Sequence, residues 1–134
     1  MLWGAALSAA GRRLGDQGTP TDLDVVSALR AGHDALVELG GASRGDKTMV
    51  DALAPFVEAV ESAVGCGIDW RGAWLESVDV ASKAAAGTAD LRPRIGRARP
   101  LAERSLGTPD AGAISLVMCI DTVAGSFQNE GTSR

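Results

Sequence analysis

Met49, Leu53, Phe56, Val57, Val60 and Val64 recur at steps of three and four residues. That spacing places them on one stripe of an α-helix and would scatter them over both faces of a strand, so this stretch must form a helix and bury one side. The helix is expected to start near Asp46–Lys47 and to run to about Val64. Pro55 falls inside it and removes one backbone donor, which predicts a kink.

The rest of the chain follows the same period. Leu2–Leu14 reads as a helix with Leu2, Ala6, Ala9 and Ala10 on its apolar face and no capping residue ahead of it. Thr21 and Asp24 form a capping box for a second helix, which carries Val25, Leu29, Leu36 and Val37 and is stopped by Gly40-Gly41. Asp69 caps another helix, to about Ala86, with Trp74, Val78, Ala81 and Ala85 inward. A last helix from about Asp110 to Phe127 buries a stripe containing Ile114, Val117, Met118 and Val123, and the tail 128–134 is expected to be disordered. No strand pattern and no internal repeat occur. Aromatic residues are only 4% of an Ala-rich chain, which favours helices packed closely through small side chains.

Composition narrows the function. A net charge of -4 argues against a nucleic-acid partner, which would call for a basic face. The apolar run Ile114–Ile120 is cut off by Asp121 and is too short to span a bilayer, so no membrane association is expected. The apolar start "MLWGAALSAA" has no basic residues before it and reads as helix rather than as a signal peptide. Cys66 and Cys119 have no metal-ligand spacing; one disulfide between them is an alternative, but they read first as buried free thiols of a cytoplasmic protein. His33 is the only histidine and stands within the second helix, so a hydrolase triad has no support.

Two segments stand out. "GGASRGDKTMVDAL" is a glycine-spaced loop entering a helix, where backbone N–H groups and the positive end of the helix dipole favour an anion, with Lys47 able to add charge. Taken alone, it reads more readily as a solvated loop capped by Asp46. "RIGRARPLAERSLGTPDAGAISL" carries Arg94, Arg97, Arg99 and Arg104 beside Glu103 and then enters a helix at Asp110-Ala111-Gly112. Arginine suits phosphoryl oxygens through its permanent charge and forked donors, and Gly112 permits close approach to backbone; a solvated basic loop fits the same residues.

Together, "GASRGDKTMVDALAP" and "GRARPLAERSLGTPDAGAISL" resemble the nucleotide-binding L subunit of dihydroxyacetone kinases (the DhaL domain), whose motifs read roughly "GDKTM-D" and "GRASYLGERS-G–DPGA". The two motifs stand in the family order about fifty residues apart, and the resemblance covers Leu2 to Phe127. It implies an all-α fold, an antiparallel barrel of eight helices with ATP or ADP held at one end. It also implies nucleotide-binding roles for Gly40, Thr48, Met49, Arg97, Asp110, Ala111 and Gly112, with Arg97 the catalytic residue that meets the phosphates. The family transfers phosphate from ATP to dihydroxyacetone or a related short ketose, held covalently on a K subunit. In phosphotransferase-coupled systems an M subunit recharges the nucleotide in place.

The chain departs from the family at "RPLAERS" and "DAG", which stand where the family has "SYLGERS" and "DPG". The family's "GD-DHG" loop, which holds two magnesium ions, and the phosphate loop after it have no counterpart, so no metal ligand is assigned. The expectation is a partial barrel with its first helices absent, a DhaL-like domain over 1–127, truncated at its N-terminus. Such a fragment is expected to be inactive alone and able to self-associate through uncovered apolar stripes. The alternative is a non-catalytic paralogue or regulatory interaction module.

Overall fold

The computed structural model describes residues 2–15, 18–41, 43–91 and 107–132. These form five helices: α1 (Leu2–Leu14), α2 (Asp22–Gly40), α3 (Val50–Gly65), α4 (Trp70–Gly87) and α5 (Ala111–Thr132), with a short 3-10 turn at Thr88–Asp90. Among the described residues there is no strand. Each helix packs on the next in chain order, and α5 also packs on α3, as a partly closed helical barrel requires.

The helix limits follow from local chemistry. Thr21 Oγ1 accepts the Asp24 N–H at 3.1 Å, and Asp24 Oδ2 accepts the Thr21 N–H at 2.9 Å, closing the capping box of α2. Gly41 ends α2 in the left-handed conformation, φ 64°, with its N–H on the Val37 carbonyl. Asp69 caps α4 through the Gly72 N–H, and Asp22 Oδ1 accepts the Trp70 N–H at 2.9 Å, tying the starts of α2 and α4 together.

The core is centred on α3. Phe56, Val57 and Val60 are fully buried against Ala73, Ala81 and Ala85 of α4 and Ala113, Leu116 and Ile120 of α5. Phe56 meets Trp74 edge to face at 5.0 Å between centroids, and the Trp74 Nε1–H donates to the Ile120 carbonyl at 3.0 Å. Between the helices an apolar groove of about 190 Å³ remains, with Trp3, Leu7, Leu29, Phe56 and Val123 in its walls.

Four expectations need correction. α3 begins at Val50, not at Asp46–Lys47, because Gly45 (φ 93°) and Lys47 (φ 62°) adopt left-handed turns that a right-handed helix cannot contain. α5 buries Ala113, Leu116, Ile120 and Ala124, whereas Ile114, Met118 and Val123 are exposed and Val117 is half-buried. Small residues let α5 come close to the alanine face of α4, so the bulkier neighbours flank that contact. Its helical backbone continues to Thr132, past the expected end at Phe127. Cys66 and Cys119 are free as expected, but both are exposed. α3 runs unbroken through Pro55. Among the described residues, no helix is long and apolar enough to cross a membrane.

Candidate nucleotide site

The loop before α3 is closed on itself. Asp46 Oδ2 accepts the Ser43 N–H at 2.9 Å. Asp51, in the first turn of α3, reaches back: Oδ1 accepts the Gly45 N–H at 2.6 Å and Oδ2 the Thr48 N–H at 2.9 Å. The first donors of α3 are also satisfied. Val50 N–H goes to Thr48 Oγ1, Asp51 N–H to the Thr48 carbonyl, and the Ala52 and Leu53 N–H groups to the Met49 carbonyl. The anion held by the Gly45 and Thr48 amides is therefore the protein's own Asp51 carboxylate. The glycine-spaced loop does not present those amides to a ligand.

This closure supports an uncommon conformation. Lys47 is the one non-glycine residue with positive φ among the described residues, and it is only 3% exposed. A left-handed side-chain-bearing residue costs about 1–2 kcal/mol. Hydrogen bonds to an ionised carboxylate contribute about 1.5–3 kcal/mol each, so the two Asp51 bonds offset that cost. On the outer side, Arg44 pairs with Glu58 of α3 at 2.6 Å, and this neighbour holds the Glu58 carboxyl below its usual range. Further along the same face Arg30 of α2 grips Glu61 with both Nε and Nη2, which raises the Arg30 pKa.

The entrance to α5 is built differently. Gly107, at φ 89°, donates its N–H to the Ala89 carbonyl at 2.7 Å. The Asp110 N–H donates to Thr88 Oγ1 at 2.7 Å, and that hydroxyl, fully buried, donates to the Ala85 carbonyl at 2.6 Å. The end of α4 thus fixes where α5 begins. Asp110 Oδ2 then caps the Ala113 N–H at 2.9 Å, and the Asp110 carbonyl takes the Ile114 N–H. The N–H groups of Ala111 and Gly112 lie ahead of these bonds, where a helix offers no intrahelical acceptor.

The two entrances meet. A Cβ placed on Gly112 would lie 3.7 Å from Met49 Cε, 3.8 Å from Met49 Cβ and 3.1 Å from Asp110 Oδ2. Met49 therefore packs over the first turn of α5. Of the sequence-predicted residues, Met49 is brought to Gly112, with Thr48 and Asp110–Ala111 beside them in the chain, while Gly40 ends α2 at the far end of the same loop. Arg97, with Arg94, Arg99, Arg104 and Glu103, lies outside the described residues. Sequence reasoning missed Asp51 and Thr88. Asp51 had a signal, an acid in the first turn after a Gly- and Thr-bearing loop; Thr88 had none.

A nucleotide fits these residues: two amide donors at a positive helix end, a glycine that admits close approach and an apolar methionine beside it. Magnesium does not. Among the described residues no three His, Cys, Asp or Glu side chains cluster as metal ligands, and Asp46, Asp51 and Asp110 each accept backbone N–H groups.

Known proteins resemble this chain. It is 57% identical over 124 residues to a D-erythrulose kinase of Mycolicibacterium smegmatis, covering 92% of the chain and 21% of the relative. It is 47% identical over 132 residues to an L-erythrulose kinase of Pectobacterium atrosepticum, covering 98% and 22%. Over 101 residues it is 33% identical to the ADP-binding subunit DhaL of a PEP-dependent dihydroxyacetone kinase of Escherichia coli, covering 75% and 48%. The chain thus spans about a fifth of the length of the two erythrulose kinases. The DAK2 domain profile matches residues 1–125, and the chain belongs to the DAK2 domain family.

Proposed function

We propose that this chain is the nucleotide-binding part of a kinase that moves the terminal phosphoryl group of ATP to a hydroxyl of a short ketose. The observation that carries the reading is Met49 packed over Gly112, which brings one residue of each motif together. The ketose is dihydroxyacetone or a close relative, and the erythrulose kinases among the similar proteins favour a four-carbon ketose. Residues 1–127 act as the domain, in the cytoplasm.

In this reading the phosphates lie at the α5 entrance, on the Ala111 and Gly112 amides, and the nucleoside lies against Met49 with Thr48 and Gly40 beside it. Arg97 offers a forked, permanently charged donor to the transferring phosphoryl oxygens. The ketose is held by a K-type partner, as the DhaL relative suggests; in a phosphotransferase-linked system an M-type partner would recharge the nucleotide. Magnesium would neutralise phosphate charge, with ligands from outside the described residues. The chain alone is expected to bind nucleotide weakly and to turn over no ketose.

The test is calorimetric titration of the chain with ADP, followed by a coupled kinase assay with a K-type partner and a panel of ketoses. Weak saturable binding, and turnover only on reconstitution with preference for erythrulose, are expected. No binding at millimolar ADP would end the reading.

A further inference from the structure

We infer that Asp51 is a positioning residue of this site: its carboxylate clamps the loop on both sides of Lys47 and thereby sets Met49 against Gly112. The inference rests on the reading of the site as a nucleotide site. Asp51 stands in the first turn of α3, where a carboxylate usually serves the helix itself. Here the helix does not need it. The Val50 N–H is already taken by Thr48 Oγ1, and the next three donors by the Thr48 and Met49 carbonyls. Both Asp51 oxygens leave the helix and reach Gly45, two residues before Lys47, and Thr48, one residue after it. Those two bonds span the left-handed turn.

The consequence passes along the chain. Thr48 fixes the start of α3 through its hydroxyl and its carbonyl, Met49 follows it directly, and the Met49 side chain covers Gly112. Loosening the turn at Lys47 therefore displaces Met49 without touching the core residues Phe56, Val57 and Val60. An asparagine cannot replace Asp51. It keeps one acceptor oxygen and turns an NH2 donor toward the other backbone N–H.

The sign of the effect separates positioning from simple charge. Removing a carboxylate near a polyanionic ligand should, by Coulomb's law alone, tighten binding. Positioning demands the reverse.

The experiment is ADP titration of the chain and of Asp51→Asn, with amide hydrogen exchange on both and Glu58→Gln as a charge control on the outer face of α3. Expected are at least a tenfold loss of ADP affinity in Asp51→Asn, faster exchange at Gly45 and Thr48, unchanged protection at Phe56–Val60, and affinity within threefold of wild type in Glu58→Gln. Retained protection at Phe56–Val60 shows that the variant is folded. Wild-type binding with Asp51→Asn equal or tighter overturns the inference, as does unchanged exchange at Gly45 and Thr48. Absence of binding by the wild-type chain overturns the nucleotide reading itself, and the inference with it.

Discussion

The entrances to α3 and α5 sit side by side and use their backbone donors in opposite ways. At α3, the loop supplies its own anion: Asp51 takes the Gly45 and Thr48 amides, and Thr48 and Met49 take the first helical donors. At α5, Asp110 takes the third amide, Ala113, and the two ahead of it have no acceptor within the helix. A glycine-rich loop before a helix is commonly read as an anion cradle. Such a loop is a cradle only where its donors lack acceptors within the protein. In this chain the glycine-spaced loop provides shape and an apolar side chain, and the plainer entrance offers the charge-seeking amides.

The largest expected effect probes the arginine segment ahead of α5. If phosphates lie at this entrance, Arg97→Ala in the reconstituted kinase lowers phosphoryl transfer by about 10³-fold in single turnover. Nucleotide affinity changes far less, since the charge it meets spreads in the transition state. Arg97→Lys restores only part, and Arg94→Ala and Arg99→Ala have modest effects. Equal losses at all three arginines would place the catalytic role elsewhere.

Gly112→Val attacks the junction of the two entrances. Its Cβ would sit 3.1 Å from Asp110 Oδ2, and its methyl groups would push on Met49. ADP affinity should fall more than tenfold in titration while the helical circular dichroism is kept. Normal affinity would mean that Met49 and Gly112 need not touch. A smaller change tests how α5 is seated. Thr88→Val keeps shape but leaves the half-buried Asp110 N–H and the Ala85 carbonyl without their shared hydroxyl, and should cost about 1–3 kcal/mol in urea unfolding.

The smallest effect belongs to the outer side of the α3 loop. Arg44 lowers the Glu58 pKa from 4.5, so the pair adds stability above that pH and loses it as pH falls through the lowered value. Both side chains are more than half exposed, and solvent screening limits the gain to about 0.5 kcal/mol or less. Comparing unfolding of wild type and Glu58→Gln at pH 7 and pH 3 checks it. The difference should be smaller at pH 3 than at pH 7.

Much of the fold was legible because caps and period agree with tertiary packing. Thr21 with Asp24, Asp69, and the stripe from Leu53 to Val64 stand where the sequence places them. The start of α3 was not legible, since a left-handed Lys47 is imposed by Asp51 from the next turn and leaves no trace in hydrophobic spacing. The inward face of α5 was misjudged for another reason. Hydrophobicity ranks Ile114 and Met118 above Ala113 and Ala124, whereas a close helix contact selects by size. Motif residues pointed to Met49 and to Asp110 through Gly112, and the fold sets Met49 against Gly112. Of the supports, Asp51 sits three and six residues from the amides it holds and had a local signal, whereas Thr88 reaches the Asp110 N–H twenty-two residues away and had none.

The most direct test of the central claim is a backbone amide NMR titration comparing ADP with adenosine. ADP, and not adenosine, should move the Ala111 and Gly112 amides strongly, both ligands should move the Met49 methyl, and Gly45 and Thr48, already bonded to Asp51, should shift little. Large phosphate-dependent shifts at Gly45 and Thr48, with Ala111 and Gly112 silent, would contradict it.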